Sequence, residues 1–218
     1  GSQYIIPTLA VWDSVEDIDF DALPNQFVLK STHDSGGIVI CKDKSSLDFE
    51  AAKAKLSASL KRDYSKIARE WAYQNVPRRI IAEEYISELG KDDLLDYKMY
   101  SFHGESKLTV VCSNRFSKTG TRMNFYDINW KPMGIHFGHY PPLPTEFPKP
   151  ATYEEMKRLT AELSKDCPFL RVDFYEIKGR LFIGELTFFP GAGFEKFRPM
   201  SKDYELGEWL HLETVHRG

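Results

Sequence analysis

The chain has 218 residues, of which 42% are hydrophobic and 28% are charged, and its net charge is −3 at neutral pH. This length can bury one large core or the cores of two linked lobes, while the weak negative charge gives no basis for binding nucleic acid or an anionic membrane. The three cysteines are far apart and no apolar run is long enough to span a bilayer, which indicates a cytoplasmic protein with reduced thiols and no membrane insertion.

The chain opens with Gly1 and Ser2, which have the form of an expression-tag remnant. Only some two dozen residues precede Phe27, and we assign 1–23 to an N-terminal lead-in. An apolar run at 27–29 then ends in Lys30, and this run predicts the first strand of a folded lobe.

A glycine loop follows this strand and precedes a second apolar run at 38–40; the loop includes His33, Ser35, Gly36 and Gly37. Glycines let backbone N–H groups converge on an anion, and a lysine on the adjoining strand adds a fixed positive charge for the same phosphates. The alternative is an ordinary Gly-Gly hairpin turn. His33 either contacts a phosphate or is merely solvated.

The next elements are helices followed by an acidic strand. Apolar spacing predicts a helix over 45–64, capped by Ser45, and a second helix over 67–74. A strand over 79–86 turns acidic at Glu83 and Glu84. Backbone groups at such an edge can bind adenine while a carboxylate takes ribose hydroxyls, and the alternative is an exposed acidic edge strand.

The middle of the chain predicts strands over 97–103 and 107–114, with a polar hairpin tip at 115–122. A proline-rich connection leads to Thr152, which begins a pattern with the form of a capping box. We therefore expect a helix over 153–165.

The last motif is a hairpin over 169–175 and 183–191. The side-chain period of two puts Arg171, Asp173 and Tyr175 on one face, so that Asp173 and Glu185 face one another. Carboxylates on paired strands, with an arginine beside them, can hold Mg²⁺ that carries phosphates. The alternative is a sheet face that is simply solvated.

In this order the segments resemble the ATP-grasp superfamily, and most closely its TupA-like branch of polysaccharide-biosynthesis proteins. The resemblance implies an α+β fold in which two lobes bind ATP between their sheets, with the usual N-terminal domain absent or truncated. It places a small lobe with the lysine and glycine loop at 24–90, a large lobe with the magnesium site at 91–212, and a tail at 213–218. The segments that carry it lie at 23–30, 35–37, 82–86, 96–98, 171–175 and 184–188.

The resemblance also implies roles for individual residues. Lys30 resembles the lysine that contacts the ATP phosphates under the mobile loop, and Arg171 resembles the arginine that steadies an acyl phosphate. The segment 125–131 is similar to one in the D-alanine:D-alanine ligases, whose closing lysine corresponds to Lys131. Thr187 stands where the wider superfamily usually has asparagine. The implied catalytic residues are Lys30 and Arg171, the metal ligands are Asp173, Glu185 and Thr187, and the cofactor-binding residues are Lys30, Ser35, Gly36, Gly37, Glu83, Glu84, Tyr85, Ile86, Asp96, Lys98 and Lys131.

The function implied by the resemblance is that of a carboxylate-amine ligase that uses ATP and Mg²⁺ and forms an acyl phosphate. Its setting would be capsular or extracellular polysaccharide biosynthesis, with amidation of a uronic acid by an amino acid or peptide. The implied partners are ATP, a saccharide-linked carboxylate, an amine and polysaccharide-assembly proteins. Two alternatives stay open: a sugar kinase on the same ATP site, and a nucleotide-binding partner without catalysis.

Overall fold

The structure, a computed structural model, describes residues 1–87, 94–114, 117–118 and 120–212. The described chain divides into two units. The first unit is Ile6–Ile86, and the second comprises residues 1–5 and the described residues from 87 onward. The expected lobe boundary after residue 90, part of the predicted hairpin tip at 115–122 and the tail at 213–218 lie outside the described residues.

The first unit is an antiparallel sheet with helices. The sheet has the strand order β1-β4-β2-β3. Alternate residues of β2, Phe27 and Leu29, are fully buried and form one core with Leu56 of α1, as expected for a strand with one face on a core. The elements are β1 (Thr8–Trp12), β2 (Phe27–Ser31), β3 (Ile38–Cys41), α1 (Phe49–Leu60), α2 (Tyr64–Ala68) and β4 (Ile80–Glu84), with 3-10 helices at Lys44–Ser46 and Trp71–Tyr73.

The helices of this unit are shorter than the sequence predicts. The predicted helix over 45–64 begins only at Phe49, where Asp48 caps it by accepting from the backbone N–H of Ala51 at 2.9 Å. A second aspartate, Asp63, accepts from the N–H of Lys66 and begins α2. Aspartate favours such caps over helix interiors, so these two residues divide the predicted helix, and Ser45 does not cap it.

The predicted helix over 67–74 is also wrong. Helix α2 ends at Ala68, and Arg69 has a left-handed backbone with φ of 57°. A short 3-10 helix, Trp71–Tyr73, follows. Apolar spacing alone does not predict this break. The residue that adopts the left-handed conformation is Arg69, not the glycine that usually marks such a helix end.

The turn between β2 and β3 depends on both of its glycines. Gly36 has φ of +96°, which favours glycine. A Cβ atom on Gly37 would lie within 3.0 Å of the hydroxyl oxygens of Ser31 and Ser59, which are 2.6 Å apart and buried. The folded structure therefore requires Gly37 for close packing, whatever the loop binds.

Contacts with the end of α1 hold the same turn. The carboxylate of Asp34 accepts from the Ser59 hydroxyl at 2.5 Å and from Arg62 at 3.2 Å. His33 is only 3% exposed, and its Nε2 lies 3.1 Å from the carbonyl oxygen of Arg62. The expectation that His33 is merely solvated is therefore wrong.

The second unit is built on a five-stranded antiparallel sheet in the order β10-β9-β5-β6-β7, with a two-stranded sheet of β8 and β11. Tyr97 and Met99 of β5 and Val172 of β9 form a core with α3. Because strand side chains alternate, the even-numbered residues of β5 and the odd-numbered residues of β9 point to the opposite face. The elements are β5 (Asp96–Phe102), β6 (Glu105–Ser113), β7 (Arg122–Asp127), β8 (His136–Phe137), α3 (Tyr153–Ser164), β9 (Phe169–Ile177), β10 (Arg180–Thr187), β11 (Phe197–Arg198) and α4 (Met200–Gly207).

Helix α3 forms where the sequence predicts it, but the capping box does not. The Thr152 hydroxyl donates to Glu176 at 2.5 Å, and its side chain makes no cap hydrogen bond. Glu155 accepts from the Tyr4 hydroxyl at 2.5 Å instead. Tertiary partners have thus replaced the two local bonds of the motif. Among the described residues, no helix has the length and apolar character needed to cross a membrane.

We predict that Gly37→Ala lowers the free energy of unfolding by about 1–3 kcal/mol, the usual cost of overpacking a filled site. Urea denaturation without nucleotide measures this loss. The matched control is Ser35→Ala in the same loop, where the side chain is exposed and a change within about 0.5 kcal/mol is expected. Equal stability of the two variants would show that the turn relaxes around the added methyl group.

Candidate functional site

The main polar feature of the second unit is a set of side chains that cross β5, β9 and β10, which we call the charged row. Register places Lys98 opposite Asp173 and Asp173 opposite Glu185. The neighbouring row aligns Arg171 with Tyr100 on one side and with Thr187 on the other. Strand pairing alone therefore brings six predicted site residues onto one face: Asp96, Lys98, Arg171, Asp173, Glu185 and Thr187.

A β-bulge positions Glu185. The register of β10 against β9 shifts between Ile183 and Glu185, so the extra residue, Gly184, turns Glu185 to the same face as Asp173. A Cβ atom at Gly184 would also collide with the ring of Tyr175. Glycine at this position therefore serves both the bulge and the packing of the tyrosine.

Asp173 lies at the centre of the row and is only 2% exposed. Its carboxylate accepts from Arg171 Nε at 2.6 Å, from Arg171 Nη2 at 2.7 Å and from Lys98 Nζ at 2.5 Å. Lys98 Nζ also donates to Asp96 at 2.7 Å. Two buried carboxylates, the buried ammonium of Lys98 and the half-buried guanidinium of Arg171 thus form one hydrogen-bonded cluster of opposite charges.

The pKa values of the cluster show which interactions prevail. Burial alone would raise the pKa of the Asp173 carboxyl, but Arg171 and Lys98 outweigh burial and hold this pKa below its ordinary value. Burial would lower the pKa of Lys98, yet Asp173 and Asp96 hold it above the ordinary value. Asp173 and Lys98 are therefore kept charged in the interior.

Tyr100 is a member of the site that sequence reasoning did not select. It is 4% exposed, and burial raises the pKa of its phenol, which stays neutral beside Arg171. The available signal was the side-chain period of two, which places Tyr100 on the same face as Asp96 and Lys98.

The edge of the row is accessible where the centre is not. The Glu185 side chain is 48% exposed and lies 3.9 Å from Arg171, and its carboxylate accepts from the Thr187 hydroxyl at 2.9 Å. Of the two predicted metal ligands, Glu185 is therefore accessible and Asp173 is buried.

The donor set fits a magnesium ion that keeps most of its water. Asp173 accepts three hydrogen bonds, and an ionised carboxylate has about four lone-pair sites, so one remains. Glu185 supplies an accessible carboxylate, and Mg²⁺ takes only one or two from a protein. Within the described ranges, no group of three or more His, Cys, Asp or Glu side chains could hold a metal by itself.

In the first unit, two predicted residues form an ion pair. Lys30 on β2 contacts the carboxylate of Glu83 on β4, since the register pairs Val28 with Glu83 and Lys30 with Ile81. Both side chains are partly exposed, by 30% and 14%. The glycine loop, with exposed Ser35 and Gly36 and buried Gly37, directly follows the strand of Lys30.

The remaining predicted residues lie at the ends of strands. The backbone N–H of Glu84 donates to Pro7 at 3.0 Å, and Tyr85 and Ile86 follow β4 as half-buried residues. Lys131 is exposed in a turn after β7, where its N–H donates to the Asp127 carboxylate at 2.9 Å. Strand β7 is at the opposite edge of the sheet from β10, so Lys131 is not part of the charged row.

The TupA-like ATP-grasp family matches residues 1–211. The chain belongs to this family. The sequence finds no match among curated proteins. The family match and the α+β structure of each unit confirm the fold class expected from the sequence.

Solved structures with a similar fold include a D-alanine--D-alanine ligase and a RimK domain ATP-grasp protein. The D-alanine--D-alanine ligase from Bacillus anthracis complexed with ATP is 16% identical, with a TM-score of 0.50 over 94% of this chain and 55% of that one. A RimK domain ATP-grasp protein from Sphaerobacter thermophilus is 12% identical, with a TM-score of 0.43 over 84% of this chain and 52% of that one. The chain thus spans about half the length of these proteins, and the likeness concerns the fold alone.

We predict that Lys98→Met lowers the free energy of unfolding by about 3 kcal/mol or more, because it removes the ammonium that joins the buried carboxylates of Asp96 and Asp173. Chemical denaturation measures the loss. Lys107→Met is the control, since Lys107 pairs with the exposed Glu105 on β6 and such a pair contributes about 1 kcal/mol at most. Equal losses in both variants would mean that the cluster is solvated.

Proposed function

We propose that this ATP-grasp chain carries the nucleotide and phosphoryl-transfer site of an ATP-dependent carboxylate-amine ligase. The observation that carries the proposal is the charged row, where Asp173 holds Arg171 beside the exposed carboxylate of Glu185. A fixed guanidinium next to an accessible carboxylate supplies the two things that phosphoryl transfer requires, a positive charge and a place for a divalent cation.

The proposed reaction has two steps. An oxygen of the acceptor carboxylate attacks the γ-phosphorus of ATP, the bond from that phosphorus to the bridging oxygen breaks, and ADP leaves with the electron pair. The amine then attacks the acyl carbon, inorganic phosphate leaves, and the nitrogen loses a proton to form the amide. Neither step needs a protein nucleophile, so catalysis consists of positioning and charge stabilisation.

Arg171 is proposed to stabilise the charge on the transferred phosphoryl group. Its guanidinium is fixed by two hydrogen bonds to Asp173, and a guanidinium has five N–H donors in total, so others remain for phosphate oxygens. Lys98 is 8% exposed and is held between Asp96 and Asp173. We therefore assign Lys98 and Asp96 a positioning role, with Asp173 as the group that they orient.

Bound Mg²⁺ would neutralise and align the ATP phosphates. Glu185 would hold it from the exposed edge of the sheet, with the last lone pair of Asp173 as a second ligand. The Thr187 hydroxyl donates to Glu185 and keeps oxygen lone pairs that could coordinate the metal. A hydroxyl is a weaker ligand than the amide oxygen of the asparagine that the wider superfamily usually has.

In the first unit, we propose that Lys30 exchanges partners when nucleotide binds. The ammonium that now contacts Glu83 would turn to the phosphates under the loop at 35–37, and Glu83 would turn to the ribose hydroxyls. The backbone of Glu84, Tyr85 and Ile86 would bind adenine. Lys131 is proposed as a further phosphate contact.

The acceptor is proposed to be a uronic acid of a capsular or extracellular polysaccharide, joined to an amino acid or peptide in the cytoplasm. Support for this choice comes from the TupA-like branch to which the sequence motifs belong. The proposed partners are polysaccharide-assembly proteins, which would present the saccharide-linked carboxylate.

Trapping of the acyl phosphate tests the reaction. Hydroxylamine, added to the whole natural protein with ATP, Mg²⁺ and a uronic acid, should yield a hydroxamate, because a strong nucleophile intercepts activated acyl groups. Arg171→Lys keeps the charge but loses the two-pronged geometry, so the hydroxamate yield should fall at least about tenfold while nucleotide binding changes less. The control is Arg180→Lys, an exposed arginine on the same hairpin.

The other outcomes identify the rival functions. A stable sugar phosphate without hydroxamate would replace the ligase by a kinase. Nucleotide binding with no turnover for any carboxylate and amine would favour the non-catalytic partner. Equal hydroxamate yields from the two arginine variants would remove Arg171 from the mechanism.

A further inference from the structure

The first unit contains a cavity of about 480 Å³ that is distinct from the ion pair of Lys30. Its walls come from His33 and from residues between 63 and 78, in the segment that joins α1 to β4. The volume lies within the range of about 300–1,000 Å³ that is usual for small-molecule sites. None of the roles proposed above uses these residues, so the cavity could bind a separate ligand.

His33 lines this cavity, and its imidazole is buried. Its Nε2 lies 3.1 Å from the carbonyl oxygen of Arg62, and a carbonyl can only accept, so Nε2 carries the proton. In a neutral imidazole the other nitrogen, Nδ1, is then an acceptor. Nδ1 is buried and has no hydrogen-bond partner among the described residues. Such a group favours a ligand that donates, such as a hydroxyl.

Aromatic side chains form another part of the wall. Trp71 lines the cavity and is 63% exposed. Tyr64 and Tyr73 also line it and contact each other edge to face, with ring centres 5.0 Å apart. An accessible indole beside polar groups suits a ligand that has an apolar face and a polar rim. A pyranose ring has this character, because its axial C–H groups form a face and its hydroxyls form the rim.

The charges of the cavity favour an anion. Three lining side chains are cationic, Lys66, Arg69 and Arg78, and one, Asp63, is anionic. Asp63 is occupied by Lys66, with an Nζ to carboxylate distance of 2.9 Å. Among the described residues, Arg69 and Arg78 form no ion pair, and Arg78 donates to the carbonyl of Leu60 at 3.2 Å. The two guanidinium groups therefore leave the cavity with excess positive charge.

We propose that this cavity binds a sugar that carries a carboxylate, such as a uronic acid unit of a glycan. A ring hydroxyl would donate to His33 Nδ1, the ring would lie against Trp71, and Arg69 would pair with the carboxylate, which arginine binds in a bidentate manner. The choice of a carboxylate over a phosphate rests on the proposed function, whose acceptor is a carboxylate; the hydroxyl and the ring rest on the cavity itself.

The test is a titration of the ¹⁵N-labelled whole protein with methyl β-D-glucuronide at pH 8, followed by NMR. The probe should shift the indole N–H signal of Trp71 and the amide signals of residues 62–78. Methyl β-D-glucoside has the same ring without the charge, acetate has the charge without the ring, and glucose 6-phosphate carries a phosphate. We expect each of these to bind at least about tenfold more weakly, as the loss of a charged hydrogen bond or of the ring contact predicts.

Matched variants locate the site. Arg69→Gln and Trp71→Ala should each weaken glucuronide binding about tenfold. Arg79→Gln should leave the affinity within about twofold, because Arg79 is close in sequence but pairs with Asp13 at 2.8 Å and is not among the lining residues. All three side chains are exposed, and thermal melting checks that each variant is folded.

Several results would overturn the proposal: equal binding of the glucoside, tighter binding of glucose 6-phosphate, or the same loss in Arg79→Gln as in Arg69→Gln. Stabilisation of the same samples by ADP with Mg²⁺ separates this proposal from the proposed function. If nucleotide stabilises the protein and the glucuronide does not bind, only the sugar site fails. If the glucuronide binds as expected and nucleotide has no effect, the sugar site stands and the ligase assignment fails.

Discussion

The second unit depends on one buried electrostatic arrangement, in which Lys98 joins Asp96 to Asp173 and Arg171 clamps Asp173 from the other side. Each of these charges would be costly in the interior without its partners. Together they form a compensated cluster across two neighbouring strands, so the register of β5 against β9 is tied to the pairing of the charges. A shift of one residue would direct these charges into the core beneath α3.

The same cluster fixes the orientation of Arg171 beside the exposed Glu185. Because the Asp173 carboxylate accepts hydrogen bonds from both Nε and Nη2 of Arg171, the guanidinium is held in one orientation. Glu185 lies at the accessible edge, with its side chain 48% exposed. The bulge at Gly184 places Glu185 on the face of Asp173, because the extra residue shifts the alternation of side chains by one position. In a regular strand, Glu185 would point to the other face of the sheet. The sheet therefore holds the orienting charges in its interior and leaves one exposed carboxylate, Glu185, accessible to a cation. Preorganisation of this kind is the main contribution that a protein makes to phosphoryl transfer.

Much of this arrangement follows from local sequence. The period of two along 171–175 predicts which side chains share a face, and an isolated glycine within a strand pattern signals the bulge. The burial of Asp173 does not follow, because periodicity identifies a face but not the distant elements that cover it. Here Tyr100, on the same face, lies in a core with Leu206 of α4, more than 100 residues later in the sequence. The prediction of one helix over 45–64 was wrong for a different reason. It was based on apolar spacing and did not use Asp48 and Asp63, whose side chains cap two separate helices.

We expect a metal-bound nucleotide to contact the protein at the exposed edge of the charged row. Paramagnetic broadening by Mn²⁺ with ADP, measured on the ¹⁵N-labelled protein, tests it most directly. The amide signals of Asp173, Glu185 and Thr187 should broaden strongly. Glu185→Gln should remove most of this effect while the protein stays folded, because Glu185 is half-exposed whereas Asp173 is buried. Broadening that avoids β9 and β10, or that is unchanged in Glu185→Gln, would mean that the metal-bound nucleotide binds elsewhere on the protein.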